Sequence, residues 1–554
     1  MSDHDFEAPS DLFSGSVTRR QLLRRAVFGG IVLAAPPLLK TYGGALEPSA
    51  YAADPATLTW ALSGPLRSFD PAKSADHWSS EILSLVYDTL LTYDAHGRLV
   101  PLLASKYTQT GPTTHVFTIR SNAKFWDGTP VTADDVVFSL SRNLDPKLAS
   151  ELGSFYTNVK SVKKTSANTV TVHLKAPDNS FKYTVPIYSG ILSKAFVTAK
   201  GAGYGGVFGS IGASTVLGSG PYQPSSFQAD QGVTLQLHSG YLGTRPSFQT
   251  INAKFVTDPS TLQLALQAGE VDGTFDVPIS SASAWSKLSG VTVQGVTGGT
   301  IDFLGFNLKQ KPWNDVHVRR AFAHSIDKAG LVKSVFHGYA VPANTVPPPA
   351  LWGSTVPAAE LKKIYAGLQS YPFNMNLARS ELKRSSVPNG FSATISYPAA
   401  HSSLEQALLN LAQNLKGINV HLTVKEIPTT QWLNTFWGHK ANVGPQVMEW
   451  SPDYLGPGDY PSYFYPSSRA KVNDTNFANY KNAGVDAAVS TIVTNPNFAA
   501  QKAAIIKVMK QAAVDVPYLP FWWLDTLVAY RKPLMYTGLS GVFSVQRWVN
   551  NLHS

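Results

Sequence analysis

A chain of 554 residues is too long for one hydrophobic core, so its length implies two or three domains. Hydrophobic residues make up 44% and charged residues 15%, the balance of a folded chain rather than a disordered one. The absence of cysteine excludes disulfides, thiol catalysis, thiolate metal sites and a lipid-bearing cysteine, while a net charge of +10 without a nucleic-acid motif argues for a solvated basic face.

Residues 18–24 read TRRQLLR and precede an apolar run over residues 26–39 that is broken by Gly29-Gly30 and Pro36-Pro37. That run is short of the roughly 20 residues a membrane-spanning helix needs. The pair Arg19-Arg20, the modest apolar core and the small-residue site Ala50-Tyr51-Ala52 predict a twin-arginine signal peptide over residues 1–52, cleaved after Ala52. Leu22 and Arg24 depart mildly from the usual motif. An uncleaved N-terminal anchor is the alternative.

Residues 116–120 alternate, with Phe117 and Ile119 on one face, and predict a half-buried strand. Asp127-Gly128 supplies a turn. Thr132 is placed to cap a helix, Asp135 to complete a capping box, and Val136, Val137 and Leu140 form its apolar stripe. Asp145-Pro146 ends it. Further strands are expected at residues 169–174, 233–237 and 251–256, with a turn over residues 243–246. Gly201, Gly203 and Gly206 satisfy a dinucleotide-type spacing, but no clean strand precedes them, so the segment reads as a loop. Val318, Ala321, Phe322 and Ile326 share one helical face, with Asn314 or Asp315 as cap and Gly338 closing the next segment. His317 and His324 lie seven residues apart on this helix without compact metal-ligand spacing, so no metal or cofactor is expected. No phosphate loop, zinc-protease pair or nucleophile elbow occurs.

The wording of residues 124–139, KFWDGTPVTADDVVFS, resembles the signature of the extracytoplasmic solute-binding proteins of peptide-type ABC importers, the dipeptide- and oligopeptide-binding group known as solute-binding protein family 5. The likeness continues through residues 58–76, 86–107, the GSGPY of residues 218–222, and residues 264–278 and 303–349, and more loosely through residues 450–466. It implies an α/β, two-lobed, type II-like periplasmic-binding-protein fold with an extra inserted subdomain and a hinge between the lobes. The implied division is residues 53–98 opening lobe 1, 99–217 the inserted subdomain, 218–306 a return to lobe 1, 307–515 lobe 2, and 516–554 closing on lobe 1. The implied protein is a periplasmic or secreted monomer without covalent chemistry, serving ABC permease subunits and their ATPases.

Trp450-Ser451-Pro452-Asp453-Tyr454 resembles the loop with which peptide-binding members line the cleft. The resemblance assigns ligand binding to Asp453, Trp450, Ser451 and Tyr454, with the Asp453 carboxylate meeting the ligand's α-ammonium group. Such charge-assisted bonds are worth roughly 1.5–3 kcal/mol each. Alternatively, Asp453 only organises a Pro- and Gly-rich turn. Glu449 stands where the family has glycine, and Pro452 lacks an N–H. These departures leave open a modified peptide, an opine, a sugar or another amine as ligand. Trp432 and Trp437 either stack on an apolar part of the ligand or fill the core. A secreted hydrolase is the rival from another class; it would need a nucleophile–base pair or a metal cluster, and neither has readable spacing.

Overall fold

The computed structural model describes residues 56–201, 215–353, 355–399, 401–438 and 443–553. The predicted signal peptide, and all of the glycine-rich segment 201–206 except Gly201, lie outside the described residues.

Strand β1 (Thr57–Leu62) leads to helix α1 (His77–Val86), whose N-cap Asp76 accepts from the Ser79 N–H. A separate antiparallel sheet follows, made of β2 (Ala104–Gly111), β3 (Thr114–Ile119), β4 (Val159–Ser166) and β5 (Thr169–Leu174) in the order β2-β3-β5-β4. On β3, His115, Phe117 and Ile119 are buried and their neighbours half-buried, as the alternation requires. Gly128 turns the chain with φ +84°, and helix α2 (Ala133–Ser141) begins on the full capping box of Thr132 and Asp135. A 3₁₀ turn then carries the chain to Asp145, where Pro146 follows.

Residues 218–222 fold against α1 for a steric reason. A Cβ on Gly218 would stand 2.1 Å from the Val86 carbonyl oxygen, and one on Gly220 would stand 2.4 Å from that of Leu85. The Trp126 indole donates to the Gly220 carbonyl (2.7 Å), which ties the motif at residues 124–139 to the GSGPY turn. Beyond it come β6 (Tyr222–Gln228), β7 (Gly232–Leu237) and β8 (Thr250–Phe255), then α3 (Pro259–Ala268) and the short β9 (Gly273–Thr274).

Strand β10 (Val291–Gly305) leads to α4 (Val316–Ala323), α5 (Lys328–Val335) and β11 (Ala340–Pro342). The expected single helix over these positions is two helices. Val318, Ala321, Phe322 and Ile326 are all buried, but α4 stops before Ile326. The Ser325 hydroxyl donates back to the Ala321 carbonyl (2.7 Å), and Asp327 caps a new helix by accepting from the Gly330 N–H (2.9 Å). The second half of the chain adds β12 (Phe391–Pro398), α6 (Ser402–Leu415), β13 (Val420–Ile427), α7 (Thr429–Trp437), β14 (Gln446–Trp450), α8 (Asp459–Phe464), α9 (Phe498–Asp515) and β15 (Tyr518–Arg531).

The main sheet runs β13-β12-β14-β10-β15-β9-β1-β8-β7-β6, with β11 also on β15. Its two longest members, β10 and β15, are antiparallel partners and pass through both halves. Residues 291–297 pair with residues 531–525, and residues 301–305 with residues 523–518. The outer end of β15 pairs with β9, whereas the inner end of β10 pairs with β14. The fold is therefore α/β and two-lobed, and the lobes are joined by two shared strands. One core, around Leu304, Phe322, Leu408 and Phe521, fills the second lobe; another, around Ala61, Leu262, Trp285 and Leu527, lies under α3 in the first.

Candidate ligand site where the lobes meet

The β10–β15 ladder breaks between Thr297 and Ile301. Gly298 and Gly299 occupy the break. A Cβ on Gly298 would come within 2.9 Å of the Leu524 carbonyl oxygen, and one on Gly299 within 2.6 Å of the Pro452 ring. Glycine at these positions lets β15 and the chain after β14 approach closely.

That chain is residues 451–458, which link β14 to α8. The Tyr460 hydroxyl donates to the Gly299 carbonyl (2.7 Å) and to the Trp450 carbonyl (2.9 Å), and the Ser451 and Thr300 hydroxyls share a bond of 2.9 Å. From the opposite side, the Tyr93 hydroxyl donates to the Leu455 carbonyl (3.2 Å), and the Tyr183 ring stacks on Tyr454 with 5.6 Å between centroids. The loop thus touches the crossing strands and the first lobe together.

The sequence-predicted residues fall within this loop in different settings. Trp450 is buried and packs edge-on against Phe464 (5.4 Å). Ser451 is exposed. Asp453 is 6% exposed, and its N–H donates to the carboxylate of Asp459 (3.2 Å), itself 1% exposed. Tyr454 is buried beside them. Burial, and then the Asp459 charge, hold the Tyr454 phenol well above its ordinary pKa, so it stays a neutral hydroxyl. Trp432 and Trp437 join the aromatic core: Trp432 stacks on Phe436 (4.7 Å), and Trp437 meets Phe436 and Phe477 edge-on (5.2 Å each).

Sequence reasoning missed an acidic pair nearby. Asp302 on β10 is fully buried and faces Glu449 across the ladder. The Trp522 indole donates to Asp302 (2.7 Å), as does the Ser403 hydroxyl (3.2 Å); His401 lies 3.8 Å from Glu449. Burial, and then the Glu449 charge, push the Asp302 carboxyl well above the usual range. Burial raises Glu449 as well, against the opposing effect of His401. The available signal was an aspartate inside the apolar run 301–306, but its cross-strand partner lies 147 residues away (449 − 302).

His317 is bonded to Glu381 (2.7 Å) and His324 to the Pro372 carbonyl (2.8 Å). Among the described residues no group of three His, Asp or Glu is placed to hold a metal ion, and no helix is long and apolar enough to cross a membrane.

Two lobes sharing a pair of strands, with a polar loop seated at the crossing, define a two-lobed solute-binding protein. The model for bacterial extracellular solute-binding proteins, family 5 (middle), matches residues 98–471, and the chain belongs to that family. It is 26% identical over 477 residues to the glutathione-binding protein GsiB of Escherichia coli K12, covering 84% of this chain and 88% of the relative. The fold matches HbpA2 from Haemophilus parasuis with a TM-score of 0.77 and 20% identity, covering 90% of this chain and 99% of that one. It also matches the periplasmic binding protein DppA from Helicobacter pylori in complex with the peptide STSA, with a TM-score of 0.66 and 19% identity, covering 90% and 98%.

Proposed function

We propose that this protein is the substrate-binding component of an ABC importer, capturing short peptides between its lobes and delivering them to a membrane permease. The carrying observation is the loop at residues 451–458 with the start of α8, where the buried carboxylates of Asp453 and Asp459 lie beside Tyr454 and Tyr460 and the loop touches both the crossing strands and the first lobe. Buried carboxylates favour a cationic partner, and a peptide α-ammonium supplies one. GsiB, named for glutathione, and DppA, solved with a peptide, agree with this ligand class. Asp453, Trp450, Ser451 and Tyr454 are the proposed ligand residues, with Asp453 on the ammonium. The second reading is a non-peptide amine such as an opine: Pro452 packs on the crossing and offers no N–H to a peptide strand.

The same reading takes residues 53–98, 218–306 and 516–554 as lobe 1, residues 99–217 as the inserted subdomain and residues 307–515 as lobe 2. It makes the protein a monomer without enzymatic activity, exported by the twin-arginine route. Arg19→Lys with Arg20→Lys should hold the precursor in the cytoplasm; normal export of that variant would overturn the route. Mild denaturation of freshly purified protein, with mass spectrometry of what is released, tests the ligand class. Short peptides support the main reading, and a released non-peptide amine replaces it.

A further inference from the structure

A cavity of 590 Å³ lies wholly outside the second lobe. Its walls come from residues 88–103, 120–124, 219, 238–244 and 546–551, so the first lobe, the chain flanking the four-stranded sheet and the C-terminal segment line it together. It is of a size to hold a small ligand.

Its floor carries polar groups that the fold leaves unused. Arg547, with a side chain 10% exposed, pairs with Asp88 through Nη2 and lies 5.7 Å from the centroid of the Tyr241 ring. Its Nη1 is buried and has no hydrogen-bond partner among the described residues. Gln546, 2% exposed, spends its Nε2 on the Asp94 carbonyl (2.6 Å), which fixes the amide and leaves Oε1 buried and unpartnered. The Asn550 Oδ1 is unpartnered in the same way. Three such groups on one cavity are unusual, because buried polar atoms are nearly always bonded. One is a cationic donor; the other two are acceptors.

The charges at the cavity do not balance. Asp88 is used by Arg547, and Asp94 by Arg98 (2.6 Å). Arg120 and Lys124 also line the wall, are exposed, and have no ion-pair partner among the described residues. Burial opposes the Arg547 charge, which an anion at Nη1 would offset. The ligand that satisfies floor and rim together carries a carboxylate for Arg547 and the rim cations, and hydroxyl or ammonium hydrogens for Gln546 and Asn550.

We infer that this first-lobe cavity, bearing Arg547, Gln546 and Asn550 on its floor and Arg120 and Lys124 at its rim, is a second site that binds a small hydroxy or amino acid. It is separate from the proposed peptide site, since no residue of 306–515 lines it. Tyr93 bridges the two places, lining the cavity while its hydroxyl bonds to Leu455 in the loop.

Calorimetry on the exported protein with L-malate and L-glutamate, and with glycerol as neutral control, tests the inference. At least one acid should bind saturably and glycerol should not. Arg120→Gln with Lys124→Gln changes only exposed side chains, so the fold should persist, and it should weaken the acid at least tenfold. Asn550→Leu, which removes an acceptor, should weaken it too. A saturating peptide in the interlobe site should leave the acid bound. Absence of saturable binding by both acids, undiminished binding by the rim variant, or displacement of the acid by peptide would each overturn the second site. Failure of both acids to bind, or an unaffected rim variant, leaves the reading of peptides at residues 451–458 standing, whereas displacement by peptide would place the acid in the peptide site itself.

Discussion

Asp525 lies on β15 beside the break in the crossing ladder, where it pairs with Thr297, and its Oδ1 is buried without a hydrogen-bond partner among the described residues. Burial raises its carboxyl to about 6. Because the folded value exceeds the unfolded one of about 3.9, the folded state binds the proton more tightly. The resulting stability is complete below about pH 4 and is lost as pH rises through about 6. Asp525→Asn should flatten urea-unfolding midpoints across that window and exceed the parent at pH 7; an unchanged pH profile would assign the slope elsewhere. Asp453 tests the ligand contact. Asp453→Asn keeps shape and removes charge, so calorimetry should show peptide affinity falling by more than a hundredfold, given roughly 3–5 kcal/mol for breaking a buried pair. N-acetylation of the peptide should cost the parent a similar amount and the variant little more, because both changes delete one interaction. At this scale the sequence, through its family resemblance, pointed to Asp453. Asp302 and Glu449 meet only through strand register, which no local pattern encodes.

The elements divide by how local their determinants are. Helix α2 was legible because its cap, stripe and stop signals lie within 15 consecutive residues (132–146); the capping box forms as expected, while the α-helix ends at Ser141 and a 3₁₀ turn carries the chain to Asp145. The end of α4 was not, since it depends on competition between helix continuation and the side-chain bonds of Ser325 and Asp327. Arg319 donates to the carbonyls of Trp313 (2.8 Å), Asp515 (2.5 Å) and Val516 (3.0 Å), clamping the end of α9 where the chain turns into β15. Gly299 is a further element-level constraint. In Gly299→Ala the new methyl must displace Pro452, so thermal unfolding should show a loss of about 1–3 kcal/mol for forced overpacking. Peptide affinity should fall with it, because Asp453 follows directly. Full affinity in Gly299→Ala would separate the loop from the crossing strands.

At the scale of the molecule, the shared strands β10 and β15 are the mechanical link between lobes, and a ligand held against both shifts the population toward closure by its differential affinity. Peptide at 100 times its Kd should stabilise the protein by about 2.7 kcal/mol. Small-angle scattering should show a smaller radius of gyration in the same sample. A tight ligand that leaves the scattering curve unchanged would rule out closure as the signal to a permease.

The sequence by itself determined what short-range physics controls: the alternation of β3, the capping box of α2, the helix start at Asn314 or Asp315, and the family wording that implied two lobes. It also excluded thiol chemistry outright, because composition needs no geometry. Tertiary structure alone decided which residues meet over long separations. Ladder register set Asp302 against Glu449, the crossing of β10 and β15 brought Gly299 against Pro452, and the C-terminal segment carried Arg547 to Asp88, 459 residues earlier. These contacts arise from how sheets and lobes stack, and a side chain's burial, charge and partners are properties of that stacking rather than of its neighbours in the chain.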